Sequence, residues 1–226
     1  MNKCLEVKED DLATDFLIFS YFGIRKKDFK EDDGIVNNKE EQIKLLVATA
    51  INRAFRDAAS HVLKTGEKNE EVRSKGANFL LKNIDVENMQ NVYDLIKGLQ
   101  NEITEETQVE EKEFTVGISQ KWVNMTYKYI YILDKLMFKE NLIDDEDFEN
   151  NYEIPIDRYI ISAAGLGSKP WSTYDIGNYD SAKDIINKKV DKNNKFEWEN
   201  TNWMEKAINQ SDSTYKKRIR EIIDNC

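Results

Sequence analysis

Histidine is almost missing from this chain: His61 is the single one in 226 residues. A serine or cysteine hydrolase needs an imidazole base beside its nucleophile, and no such arrangement is present. A metal site built on histidines is disfavoured for the same reason. Cysteine is scarce too. Cys4 and Cys226 sit at opposite ends and no CxxC pair occurs, which removes the usual zinc and iron–sulfur readings and any disulfide framework. A reducing, cytoplasmic setting is therefore expected. No apolar run approaches the ~20 residues that span a bilayer. The first residues, MNKCLEVKEDD, lack the apolar segment of a signal peptide, so no membrane partner is expected. Phosphate-loop and dinucleotide glycine patterns are absent as well.

Proline and glycine are few, at 2 and 9 residues. With so few breakers and much Lys, Glu, Leu and Ile, the expected fold class is all-α. Hydrophobic residues make up 40% and aromatics 11% of the chain, enough for a packed core. The length suits one helical domain spanning 1–226, with possible lobes at 1–100 and 114–226 joined by an acidic connection.

Acid is in excess. The formal net charge is −10, which is awkward for a nucleic-acid binder because phosphate contacts need a positive face. The excess is uneven, however: NEITEETQVEEKE (101–113) and KENLIDDEDFENNYE (139–153) hold a large share of it.

Apolar periodicity predicts a helix over 11–24 with Gly23 near its end, and a longer one over 39–64. In the latter, Ile43, Leu46, Val47, Ala50, Ile51, Ala54, Phe55, Ala58 and Val62 share a face, and Gly66 is the expected stop. Further helices are predicted over 70–83 around Val72, Phe79, Leu80 and Leu81, and over 86–100 with Val92, Leu95, Ile96 and Leu99 inward. Another runs over 119–138, burying Trp122, Met125, Tyr129, Ile132, Leu133 and Leu136. One more starts at Asp157, and others lie near 180–190, 201–209 and 212–224. The acidic stretches read as connections.

Two residues at helix starts carry candidate chemistry. Lys121 opens the apolar run KWVNMTYKYIYIL, with Trp122 adjacent and Met125 one turn on. An amine attacks carbon only when deprotonated, and both apolar surroundings and a helix N-terminus disfavour an ammonium. The plainer reading is a solvated stripe, since Lys121, Lys128 and Lys135 recur every seven residues. Asp157 follows Ile154-Pro155-Ile156 and precedes an apolar helix, which suits an N-cap. An N-cap carboxylate is also ionised and fixed, and can stabilise positive charge developing on a sugar.

Together, Val116-Gly117-Ile118-Ser119-Gln120-Lys121 and Ile154-Pro155-Ile156-Asp157-Arg158 resemble the helix-hairpin-helix superfamily of DNA glycosylases. In that family a glycine-containing hairpin precedes a lysine that opens a helix, and a Pro-Val-Asp motif opens a later one. The Gln-Lys dipeptide, Lys128 seven residues on and the long gap before Pro-x-Asp are most similar to the archaeal 8-oxoguanine glycosylase branch. The resemblance is confined to 116–167, and of the family's Leu-Pro-Gly-x-Gly hairpin only Gly117 is kept. It implies a helical two-lobe fold with a helix-hairpin-helix element and a bifunctional DNA glycosylase/AP lyase. The implied substrate is double-stranded DNA with a damaged or modified base, an oxidised purine foremost. Lys121 would attack C1′ and form a Schiff base. Asp157 would stabilise the oxocarbenium-like charge and help deprotonate the lysine. Backbone amides over Thr115–Ser119, with Gly117, Ser119, Gln120 and Arg158, would contact the DNA. No metal or organic cofactor is required.

Trp171, in GSKPWSTY, and Trp122 are candidates to stack on an extruded base, although such residues also plug cores. Arg53 and Arg56 suit a phosphate or a carboxylate of an acidic connection. The basic run YKKRIRE (215–221) and Arg25-Lys26-Lys27 are candidate backbone contacts. A second class of function stays open: a non-catalytic acidic helical protein that mimics DNA or binds a protein partner in a defence or anti-defence complex.

Overall fold

A computed structural model describes residues 9–30, 36–59, 66–86, 92–107, 109–138, 142–211 and 221. Among these the chain is all-helical, with nine α-helices and no strand. They are α1 (Glu9–Phe22), α2 (Lys39–Ala58), α3 (Gly66–Asn83), α4 (Val92–Glu106), α5 (Val116–Met137), α6 (Asp145–Asn151), α7 (Arg158–Ala164), α8 (Ile176–Asn187) and α9 (Lys195–Ser211). Short 3₁₀ turns occupy Lys26–Phe29, Trp171–Thr173 and Lys192–Asn194.

The fold is organised around α5. Thr115 caps it by accepting from the Ile118 amide, and most of its length is buried on all sides, the mark of a central helix. α2 makes the most extensive contact with it. The α2 face carries Leu46, Val47, Ala50, Ile51, Ala54, Phe55 and Ala58, and its alanines let the two backbones approach closely. The Trp122 indole, fully buried, donates to the Ile51 carbonyl at 3.1 Å. Ser119 Oγ donates to the Ile96 carbonyl at 2.5 Å, tying α4 to the same helix. One hydrophobic cluster runs from Ile18 to Val190, so the core crosses the acidic stretch 101–113.

Several boundaries differ from the sequence expectation. α2 stops at Ala58, where Ala59 leaves helical geometry (φ −120°, ψ −25°), and Gly66 opens α3 instead of closing α2. Val62 and His61 lie outside the described residues. The first half of the 101–113 stretch completes α4, because Ile103 is fully buried on the face that also carries Val92, Leu95, Ile96 and Leu99. The second acidic connection contains α6: Asp144 accepts from the Glu146 and Asp147 amides, and Phe148 anchors the turn in the core. Acid at a helix N-terminus is favourable, so composition alone misreads this segment. Of the apolar residues around which the 70–83 helix was predicted, Leu80 is fully buried and Leu81 is 40% exposed. Met125 and Ile132 are half-buried and Leu136 is 39% exposed, because that side of α5 faces a cleft, not the core. Gly23 ends α1 as expected: its φ of 77° suits glycine, and its amide reaches the Phe19 carbonyl at 2.8 Å. No helix among the described residues is long and apolar enough to cross a membrane.

Candidate active site

Gln120 brings the two candidate residues together. Its side-chain amide pairs with both backbone groups of Ile156: Nε2 donates to the carbonyl at 2.8 Å and Oε1 accepts the amide at 3.1 Å. Ile154 and Ile156 are buried beside it. This clamp sets the Ile-Pro-Ile segment against the start of α5, and the next residue, Asp157, reaches the side chain after Gln120. Lys121 Nζ donates to Asp157 Oδ2 at 3.0 Å.

The ion pair is enclosed. Lys121 is 9% exposed and Asp157 6%. Asp157 Oδ2 also accepts from Trp203 Nε1 at 2.9 Å, and Oδ1 accepts the Tyr159 and Ile160 amides at 2.9 and 3.1 Å as the N-cap of α7. Burial pushes this carboxyl up. The Lys121 charge and hydrogen bond, with Trp203 and the Ile160 amide, outweigh it and hold the group below the usual carboxylate range. Lys121 Nζ also lies 4.9 Å from the centre of the Trp171 ring.

Both groups line a cleft of about 1190 Å³. α5 forms its floor, with Lys121, Met125, Lys128, Tyr129, Ile132 and Leu136 exposed to it in turn. α1 forms one wall and α9 the other, and α7 with Trp171 closes the Lys121 end. Arg158 stands at the rim, exposed and stacked on the Tyr159 ring at 4.5 Å.

The solvated-stripe reading of the lysines is overturned. Lys128 is 8% exposed and grips both oxygens of Glu199 at 2.7 and 2.8 Å. Glu199 also accepts from the Tyr152 hydroxyl at 2.8 Å. Burial pushes the Glu199 carboxyl up, only partly opposed by Lys128. Lys135 bonds Asp145 and the Ile143 carbonyl.

The expected DNA contacts at the start of α5 are engaged within the fold. The Gly117 amide donates to the Tyr174 carbonyl at 3.0 Å, and the Ile118 and Ser119 amides turn back to Thr115. Thr115 Oγ1 donates to the Ser172 carbonyl at 2.9 Å. Thr115, Gly117, Ser119 and Gln120 thus form a structural seam and do not line the cleft. Gly117 is needed at that seam, since a Cβ there would meet the Trp171 carbonyl oxygen within 1.8 Å. Trp122 is corrected: it belongs to the core against Phe55 and Phe114, not to a stacking surface. Trp171 does line the cleft. Arg53 pairs with Asp57 of its own helix at 3.1 Å, not with an acidic connection, and Arg25 pairs with Asp28 at 2.8 Å. Residues 215–220 of the basic run, Cys4 and Cys226 lie outside the described residues.

Sequence reasoning missed Trp203, Glu199 and the α1 wall. Glu199 and Trp203 are one turn apart on α9, so a helical wheel places them on one face. Nothing in either residue alone points to Lys121. Among the described residues no group of three or more His, Cys, Asp or Glu side chains is arranged to hold a metal ion. Comparison with protein-family models, with curated proteins and with solved structures finds no match for this chain.

Proposed function

We propose that this protein is a DNA glycosylase with AP-lyase activity, of the helix-hairpin-helix kind its 116–167 segment resembles. It acts on double-stranded DNA bearing a damaged or modified base, an oxidised purine being the leading substrate. The observation that supports this reading is the buried Lys121–Asp157 pair, 3.0 Å apart and lining a cleft large enough for an extruded nucleotide.

The target nucleotide leaves the stack, because its C1′ is otherwise hidden in the duplex. Lys121 Nζ attacks C1′ as the glycosidic bond breaks, and the proton Nζ gives up leaves with the base. The sugar ring then opens, O4′ taking a second proton from Nζ, to a protonated C1′=Nζ imine. Loss of a C2′ proton expels the 3′ phosphate, and water hydrolyses the imine to restore the lysine. Asp157, held below the usual carboxylate range, is a poor proton acceptor, so its part is electrostatic. An ionised carboxylate about 4 Å from a unit positive charge contributes about 4 kcal/mol at an effective dielectric constant of about 20. That is roughly a thousandfold in rate. Arg158 at the rim suits a phosphate beside the extruded sugar.

Borohydride reduction in the presence of duplexes carrying oxidised purines, or an abasic site, tests this. A covalent protein–DNA adduct that disappears in Lys121→Ala supports the reading; no adduct on any duplex rejects it. The net charge of −10 favours a second reading, a non-catalytic acidic protein that mimics DNA or binds a protein partner. On that reading duplex DNA fails to bind even at low salt.

A further inference from the structure

The cleft is longer than the proposed chemistry needs. Lys121 and Leu136 both line it, and fifteen residues of α-helix rise about 22 Å. Its volume of about 1190 Å³ exceeds the range of about 300–1,000 Å³ typical of sites that enclose a whole drug-sized ligand. A purine is one flat bicycle, joined to C1′ directly. It fills only the end nearest Lys121.

Beyond that end the lining changes twice. By helical rise the apolar Met125 comes first, about 6 Å along α5 from Lys121, whereas Ile132 and Leu136 lie about 16 and 22 Å along it. Between them a polar node gathers Arg53 and Asp57 from α2, Tyr129 from α5 and Tyr21 from α1. The Tyr129 hydroxyl donates to Asp57 Oδ2 at 2.5 Å and shares a 2.7 Å hydrogen bond with the Tyr21 hydroxyl. Arg53 lies 3.7 Å over the Tyr21 ring and bonds Asp57. Its Nε is buried with no hydrogen-bond partner among the described residues, although buried donors are ordinarily satisfied. Tyr129 stands eight residues beyond Lys121, about 12 Å along the helix.

The guanidinium and carboxylate of the node cancel in charge. Asp57 opposes a phosphate here, whereas a neutral group with both donors and acceptors meets a partner for each. We propose that the leaving group of this enzyme is a nucleobase enlarged by a neutral, hydroxyl-bearing arm. The base sits beside Lys121, the arm passes Met125, and its hydroxyls meet the cleft-facing edges of the Arg53 and Asp57 side chains, which are 17% and 26% exposed. This rests on the glycosylase reading and, within its modified bases, moves the substrate from an oxidised purine to one carrying such an arm.

The test uses glucosylated hydroxymethyl-deoxycytidine and deoxycytidine as free nucleosides, with affinity measured by calorimetry on the full chain. The glucosylated nucleoside is expected to bind at least about tenfold more tightly, about 1.4 kcal/mol. Ile132→Trp, three residues past Tyr129 on the same side of α5, lays an indole over the node and should remove that advantage. So should the conservative Asp57→Asn. In both variants borohydride trapping on an abasic duplex should match wild type, which shows that they fold. Equal affinity for the two nucleosides, or an advantage that survives both substitutions, overturns the enlarged-base assignment even where trapping persists. Loss of trapping from wild type on every duplex overturns the glycosylase reading, and this assignment with it.

Discussion

Replacing Lys121 with methionine keeps the length of the side chain and removes its charge, leaving Asp157 with three donors: Trp203 Nε1 and the Tyr159 and Ile160 amides. Breaking one side of a buried pair costs about 3–5 kcal/mol, because the remaining charge stays out of water. For a chain of this size each kcal/mol moves the melting temperature by about 2–4 °C, so a fall of roughly 10 °C is expected at about pH 7. The pH dependence is the sharper test. In wild type the Asp157 carboxyl lies below its ordinary value. Its contribution to stability is therefore complete above the unfolded-state pKa, about 3.9, and is lost as pH falls through the folded one. In Lys121→Met the lysine charge and hydrogen bond are gone. Burial, the largest single influence on this group, then raises the folded value above the unfolded one. The variant's penalty is present at neutral pH and fades on acidification toward about pH 4, as the buried carboxylate takes up a proton. Thermal melts of both proteins across that range give the difference directly, and the groups they share cancel. The gap in melting temperature should shrink by more than half from about pH 7 to about pH 4. A gap that is constant or widens on acidification refutes the account of this pair.

The second buried pair should behave as a unit. Glu199→Ala strands the Lys128 ammonium and the Tyr152 hydroxyl and should cost about 3–5 kcal/mol in denaturant melts. The double variant with Lys128→Met should lose less than the sum of the single losses, with a coupling of about 1–3 kcal/mol; simple additivity contradicts this. Gly117→Ala should destabilise by about 1–3 kcal/mol or more through its collision with the Trp171 carbonyl, and a melt unchanged from wild type contradicts the seam. Trp122→Phe removes the indole's bond to the Ile51 carbonyl, which keeps its helical partner in α2, at a cost of about 0.5–1.5 kcal/mol, and lesion-duplex affinity should stay unchanged. Trp171→Ala should weaken that affinity, and the reverse ranking in a binding titration contradicts the assignment of the two tryptophans.

The α-helical class and most core positions were legible because helical burial repeats every three to four residues, as along Leu46, Val47, Ala50, Ile51, Ala54 and Phe55. Asp157 was legible from its helix-start context, which the α7 cap bears out; Lys121, expected to open its helix, stands past the first turn of α5, which begins at Val116. What joins them was not legible. Gln120 looks like a polar residue beside a lysine, and only the fold shows it holding the Ile156 backbone. Lys128 falls on the lysine stripe, yet the stripe turns inward because Glu199, seventy-one residues later, meets it. Thr115, Ser119 and the Gly117 amide were expected to face phosphate. Their donors were taken instead by Ser172, Ile96 and Tyr174, contacts that local sequence does not encode. α6 was hidden by its acidity, since the carboxylates that suggest a solvated link also suit the first turn of a helix.

The central claim is that the Lys121 amine forms a covalent bond with C1′ of the target nucleotide. Mass spectrometry of peptides from the borohydride-reduced complex measures this directly. The account predicts a sugar-phosphate remnant on the peptide containing Lys121 and on no other lysine. A remnant on Lys128 or elsewhere, or an adduct that still forms in Lys121→Ala, would contradict it.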